Sequence, residues 1–140
     1  MTTTPQLQVA FATTDGITVD GHFGSCEQFY IYSIDSEQYQ KIDVRIAEAG
    51  RGTDKNEFRA ELINDCQLMF CASIGGPAAA RVIRNDIHPM KCKPVGDTFP
   101  TMIDQLELLK ERMQSKQLPP WLAKLTGQPD QLTGRFEAMA

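Results

Sequence analysis

The chain has 140 residues, a formal net charge of -4, and 41% hydrophobic and 23% charged residues, enough for one domain whose core needs no disulfide or metal to hold it. The negative balance, without any cluster of Lys and Arg, argues against a nucleic-acid partner, and no apolar run approaches the roughly 20 residues of a membrane helix. The N-terminal Met-Thr-Thr-Thr-Pro-Gln carries no basic region followed by an apolar core, so a cytoplasmic location with reduced thiols is expected.

Residues 1–6 read as an N-terminal arm ahead of a domain over 7–117. "LQVAFATT" (7–14) alternates apolar and polar residues and runs into Asp15-Gly16, the pattern of a strand entering a turn. "QFYIYSID" (28–35) predicts a second strand and "QKIDVRIAEAG" (40–50) a third, with Ile42, Val44 and Ile46 on one face. The short connections make these three an antiparallel meander. The period then changes: Asp54 and Glu57 form a D-x-x-E helix start, and Phe58, Leu62 and Ile63 give an apolar stripe, so a helix is expected over about 54–65. "QLMFCAS" (67–73) is the continuous apolar run of a central strand covered on both faces. Gly75-Gly76-Pro77 opens the next helix, with proline where a first turn tolerates it. "HPMKCKPVG" (88–96) predicts a short strand, and Phe99, Met102, Ile103, Leu106, Leu109 and Met113 trace one face of a long helix. Pro119-Pro120 stops it, and 118–140 reads as a C-terminal helix and flexible tail whose Phe136 and Met139 are candidates for docking on a partner.

The order β-β-β-α-β-α-β-α describes an α/β protein in which an antiparallel meander joins right-handed parallel crossovers in one mixed five-stranded sheet. That is the order of the ribonuclease-H-like fold. A nuclease of that fold needs several carboxylates on the sheet to hold two metal ions. The central strand supplies none, and Asp15 and Asp20 read as turn formers. "IGGPAAAR" lacks the G-K-[ST] ending of a phosphate loop, and the position six residues after Cys26 is Tyr32 rather than the arginine of a phosphatase-like thiol. The four cysteines, Cys26, Cys66, Cys71 and Cys92, contain no C-x-x-C pair, which excludes a zinc-finger pattern. Pro89 and Pro94 argue against a helix that would bring His88 and Cys92 together.

"DGHFGSCEQF" (20–29) remains as the candidate site. Imidazole and thiolate suit iron and iron-sulfur centres, which makes His22 and Cys26 candidate metal ligands. Gly21 and Gly24 give the backbone room beside a bulky ligand. Cys71, ending the central strand just before Gly75 and Gly76, lies where open sheets of this type place ligands, and free N–H groups at the Gly75-Gly76 helix start favour an anion.

"VAFATTDGITVDGHFGSCEQFYIY" followed by "CASIGGPAAARVIRNDIHPMK" resembles the dinitrogenase iron-molybdenum cofactor biosynthesis family, which includes NifX, the core domain of NafY and the C-terminal domain of NifB. The resemblance covers about residues 8–112, and "PPWLAKLTGQPDQLTGRFEAMA" is similar to the ends of the NifX members. It implies a small non-catalytic carrier that binds an iron-sulfur precursor of the iron-molybdenum cofactor. The precursor would come from a NifB-type maturase and pass to the NifEN scaffold, with apo-dinitrogenase as a further partner. It maps the family's favoured cluster ligand onto His22, with Cys26 second in rank.

A carrier must hold its cluster and yet release it, so one or two ligands on a loop suit the task better than a closed cage of four cysteines. Arg51 and Arg81 are expected to complement the cluster's negative charge. Two other readings compete: a regulatory protein-interaction module of nitrogenase assembly that carries no cluster, and a thiol- or metal-dependent enzyme built on Cys26 and His22. The enzyme reading lacks a third group to orient the histidine.

Overall fold

The computed structural model describes residues 6–47 and 54–115. The arm before residue 6, Arg51 and the C-terminal segment with Phe136 and Met139 lie outside the described residues. The elements run β1 (Leu7–Ala12), β2 (Gln28–Ile34), β3 (Tyr39–Ile46), α1 (Lys55–Leu62), β4 (Leu68–Cys71), α2 (Gly76–Arg84), β5 (His88–Lys91) and α3 (Met102–Gln114). They form one five-stranded sheet in the order β3-β2-β1-β4-β5. The β1–β2 and β2–β3 pairs are antiparallel, and β1–β4 and β4–β5 are parallel. This is the mixed ribonuclease-H-like sheet expected from the element order, with no helix among the described residues long and apolar enough to cross a membrane.

Alternation on the central strands builds two core layers. Leu7, Val9 and Phe11 of β1 and Leu68 and Phe70 of β4 pack under Met102, Leu106, Leu109 and Met113 of α3. Ala10, Ala12, Met69 and Cys71 face the other way, under Ala60 and Ile63 at α1 and Ala78 and Val82 of α2. Small alanines on this second face leave room for the pair of helices. Asp54 caps α1 by accepting from the Asn56 and Glu57 N–H groups at 2.9 and 3.2 Å, and Thr101 caps α3 through the Asp104 N–H at 3.0 Å.

The structure corrects three expectations of packing. Ile42, Val44 and Ile46 are 44%, 38% and 55% exposed and take no part in the core. β3 is an edge strand, and the register against β2 shifts at Ile31/Tyr32, where Ile42 is the extra residue of a bulge. Ile103 of α3 is likewise exposed, since Met102, Leu106, Leu109 and Met113 complete the buried stripe without it. The strand expected over 88–96 is shorter than that, for β5 ends at Lys91.

Asp15 and Asp20 act as the turn formers the sequence suggests. Asp15 accepts from the N–H groups of Ile17 and Thr18, both at 2.8 Å, which holds its carboxyl down at about 2. Asp20 accepts from the Thr14 N–H at 2.8 Å. Gly16 adopts φ 75°, the left-handed conformation that favours glycine. The excursion over 13–20 is tied down at the start of α3, where the Val19 N–H donates to Pro100 O and the Met102 N–H to Ile17 O, both at 2.9 Å.

Candidate functional site

After this excursion the chain returns to the end of β1. The Gly21 N–H donates to Ala12 O at 3.0 Å, and Gly21 O accepts from the Ala72 N–H at 2.8 Å. A Cβ on Gly21 would lie 2.8 Å from the Ala12 carbonyl carbon. Only glycine allows so close a return, and it lets residues 21–23 take over the place beside β4 that β1 has just vacated. His22 then bridges Ser73 in parallel register, and the Phe23 N–H donates to Ser73 O at 2.9 Å.

The His-Phe pair divides its side chains between solvent and core. Phe23 is fully buried, its ring centroid 5.8 Å from that of Phe29. His22 is exposed, and its carbonyl accepts from the N–H groups of Ser25 and Cys26 at 3.1 and 2.8 Å, closing a turn beneath the imidazole. His22 Nδ1 is hydrogen-bonded to Ser73 Oγ. That contact fixes the ring and, with the proton on Nδ1, leaves the Nε2 lone pair directed outward, the arrangement usual for metal-binding histidines.

His22 stands at the carboxyl ends of the parallel strands β1 and β4, where open α/β sheets bind ligands. A cleft of about 920 Å3 opens beside it, bordered by Asp20, Ser25, Cys26, Ile46 and Arg59 among others. Cofactor sites commonly occupy roughly 300–1,000 Å3. Gly75 and Gly76 open α2 two residues beyond Ser73. Gly75 has an ordinary extended backbone (φ -78°, ψ 164°), and a Cβ on either glycine would meet nothing within 4 Å. The fold itself therefore does not demand glycine at these positions. Gly76 is exposed and its N–H has no carbonyl within the helix, which leaves it open to an anion, whereas Ala78 is buried in the core. Gly24 also has room, its nearest contact being Asn56 Oδ1 at 3.5 Å.

The candidate thiols lie deeper. Cys26 is 4% exposed, and its Sγ donates to Phe23 O at 3.4 Å. Cys71 is fully buried in the layer under α2. Burial pushes Cys26 and Cys92 up to about 11, and Cys66 and Cys71 up to about 12, so all four remain thiols at neutral pH. Of the residues expected at the site, His22 and Cys26 border the cleft, while Gly24, Gly75 and Gly76 do not line it and Cys71 is buried in the core layer. No group of three or more His, Cys, Asp or Glu among the described residues is placed to hold a metal ion.

A pH dependence follows. With folded pKa values above the ordinary thiol value, folding stability is fully present below the unfolded thiol pKa, near 8.5, and is lost as pH rises through the folded values near 11–12. Thermal melts of the reduced protein are expected to hold level up to about pH 8.5 and then fall steadily toward pH 11. A melting temperature unchanged across that alkaline range would contradict burial of the thiols.

Two residues of the site gave no sequence signal. Ser73 orients His22 although it lies 51 positions away. Arg59 of α1 is only 5% exposed and donates from Nε and Nη2 to Cys26 O at 3.1 and 2.8 Å. Arg81, expected to face a ligand, is instead committed to Asp54 at 2.6 Å and Glu57 at 3.6 Å, where it ties α2 to the start of α1. Ser73→Ala is expected to weaken ligand binding about 10- to 100-fold, the usual cost of losing an outer partner of a metal-bound histidine, while Ser73→Thr, which keeps the hydroxyl, retains most of it. Isothermal titration of the two variants checks this; equal affinity in Ser73→Ala and the natural chain would refute the orienting role.

Comparison with known proteins bears on the family and the fold. The sequence profile of the family described as dinitrogenase iron-molybdenum cofactor matches residues 6–106. The chain is 48% identical to the NifY protein of Klebsiella pneumoniae over 126 residues, covering 89% of this chain and 53% of that one. It is 32% identical to the NifX protein of Sinorhizobium fredii, covering 87% of this chain and 79% of its relative. The chain therefore spans about half the length of that NifY protein and most of the NifX protein. The fold is shared with the crystal structure of PH0822, at a TM-score of 0.59 and 18% identity over 75% of this chain and 91% of that one. With the profile spanning every strand of the sheet and the NifX match covering most of both chains, the protein belongs to the dinitrogenase iron-molybdenum cofactor family.

Proposed function

We propose that the chain is a non-catalytic carrier that holds an iron-sulfur precursor of the iron-molybdenum cofactor at His22 and passes it from a NifB-type maturase to the NifEN scaffold. The observation that carries this reading is the exposed imidazole, oriented by Ser73 and bordering a cleft. Its Nε2 supplies one outward ligand. The Gly76 amide and the positive end of the α2 dipole, just beyond Ser73, favour the negative charge of a sulfide-rich cluster. A single strong protein ligand on an open cleft holds cargo without enclosing it, and so permits transfer to a site with more ligands.

Cys26 is the second candidate ligand. Cys26 borders the cleft but is 4% exposed, so its thiol would bind only with loss of its proton to solvent as the metal arrives. Cys71 would sit deeper still, as a packing residue under the site. The cluster is cargo, so the protein's own share of the work is to bind it, shield it and release it. This reading places the protein in the cytoplasm with the other assembly components, apo-dinitrogenase being a further recipient.

The test is anaerobic gel filtration of the chain with precursor isolated from a NifB-type maturase, followed by addition of the cluster-free NifEN scaffold. Saturable co-elution of iron with the chain, then transfer of that iron to the scaffold, is the expected result. Binding to the scaffold with no iron retained at any ratio would instead favour the interaction module without cargo, for which the exposed Ile42, Val44 and Ile46 of edge strand β3 are the obvious contact surface.

A further inference from the structure

A buried arginine normally meets a carboxylate, because an uncompensated charge away from water is costly. Arg59 does not. It is 5% exposed, and its acceptors are backbone carbonyls: Cys26 O from Nε and Nη2, Ala47 O from Nη2 at 3.5 Å, and Lys55 O from Nη1 at 3.4 Å. Among the described residues no carboxylate forms an ion pair with it. The acidic groups of α1 and its cap are engaged elsewhere, Asp54 and Glu57 with Arg81, while Glu61 is exposed. Of the two carboxylates on the cleft, Asp20 is held by the Thr14 N–H and hydroxyl, and Glu27 is exposed, where water screens it.

Arg59 also borders the cleft beside His22. Its charge is therefore presented to the cleft from a wall that solvent ions reach poorly, where electrostatic attraction is stronger than at the surface. Arg81, the other arginine near α2, is neutralised.

Building on the carrier reading, we infer that Arg59 is the specificity-determining residue of the cleft: its buried guanidinium selects cargo that carries net negative charge, with an anionic metal-sulfur cluster as the class it fits. Binding of such cargo supplies a counter-charge that no carboxylate among the described residues provides. The same guanidinium holds the Cys26 carbonyl at the end of the His22 turn and the Ala47 carbonyl at the end of β3, so the charge and the ligand loop are fixed to one another.

The test uses the full chain and the variants Arg59→Gln and Arg59→Lys, titrated anaerobically with maturase-derived precursor and with tetrathiomolybdate, a dianionic metal-sulfur probe, alongside thermal melts without ligand. Arg59→Gln is expected to bind both at least about tenfold more weakly while still melting cooperatively, and Arg59→Lys, which keeps the charge, to stay within a few-fold of the natural chain. If Arg59→Gln binds as tightly as the natural chain, or Arg59→Lys falls as far as Arg59→Gln, charge selection by Arg59 is refuted. Should Arg59→Gln not fold, the natural chain decides. It is expected to bind tetrathiomolybdate and not hexaamminecobalt(III), a compact metal complex of opposite charge, and equal binding of the two would overturn the inference. A natural chain that binds neither precursor nor tetrathiomolybdate sinks the carrier reading itself, whereas binding that is indifferent to Arg59 sinks only the role assigned here.

Discussion

Phe23→Ala is expected to destabilise the protein by about 3–5 kcal/mol, the range for truncating a fully buried phenylalanine. The ring is one of the largest fully buried side chains, packed at a tilt against Phe29 in the layer beneath α1 and α2. Its backbone N–H is bonded to Ser73 O, so the cavity would open directly beneath the residue pair that holds the imidazole. A loss of this size lowers the melting temperature by more than about 10 °C in a domain of this length. Phe23→Leu, which refills much of the space, should lose far less. Equilibrium denaturation with an unchanged slope checks both, and a loss below about 1.5 kcal/mol in Phe23→Ala would show that the ring does not anchor the site.

His22→Ala is the complementary case, with a small effect on the fold and a large one on binding. The side chain is exposed, so its removal should alter stability by no more than about 0.5 kcal/mol. Binding of the precursor should fall by more than the roughly 10- to 100-fold attached to an outer partner such as Ser73, because the ligand atom itself is gone. Asp20→Asn and Ser25→Ala, which alter the same rim without touching the imidazole, serve as controls and are expected to bind within a few-fold of the natural chain. Comparable affinity in His22→Ala would return "DGHFGSCEQF" to the status of a turn.

The element order was legible because the hydrophobic period changes cleanly: period two through β1 to β3, a continuous apolar run at β4, and helical spacing at α1 and α3. From that order the sheet topology follows by handedness and pairing rules. His22 stood out through the family resemblance, because from the residues alone a histidine in a turn reads equally as a structural one. What escaped the sequence depends on tertiary placement. Ile42, Val44 and Ile46 read as one face of a strand, yet a bulge displaces Ile42 and all three are exposed on an edge strand. Arg59, between Phe58 and Ala60, reads as one more solvated arginine on an amphipathic helix. Its burial follows from carbonyl groups 33 and 12 residues away in sequence. Arg81 showed the reverse, a cation expected from the topology to complement the cargo that is in fact paired with the start of α1. Ser73 could not be paired with His22 before the register of residues 21–23 against β4 was known.

The central claim, that His22 Nε2 is a ligand to the cargo, is open to direct spectroscopy because the chain contains only two histidines. Pulsed electron paramagnetic resonance would be recorded on the full chain loaded anaerobically with precursor in a paramagnetic redox state, with natural-abundance and with 15N-labelled histidine. A histidine nitrogen coupling that changes on labelling and disappears in His22→Ala is the predicted result. A loaded protein whose cluster shows no coupling to histidine nitrogen would contradict it.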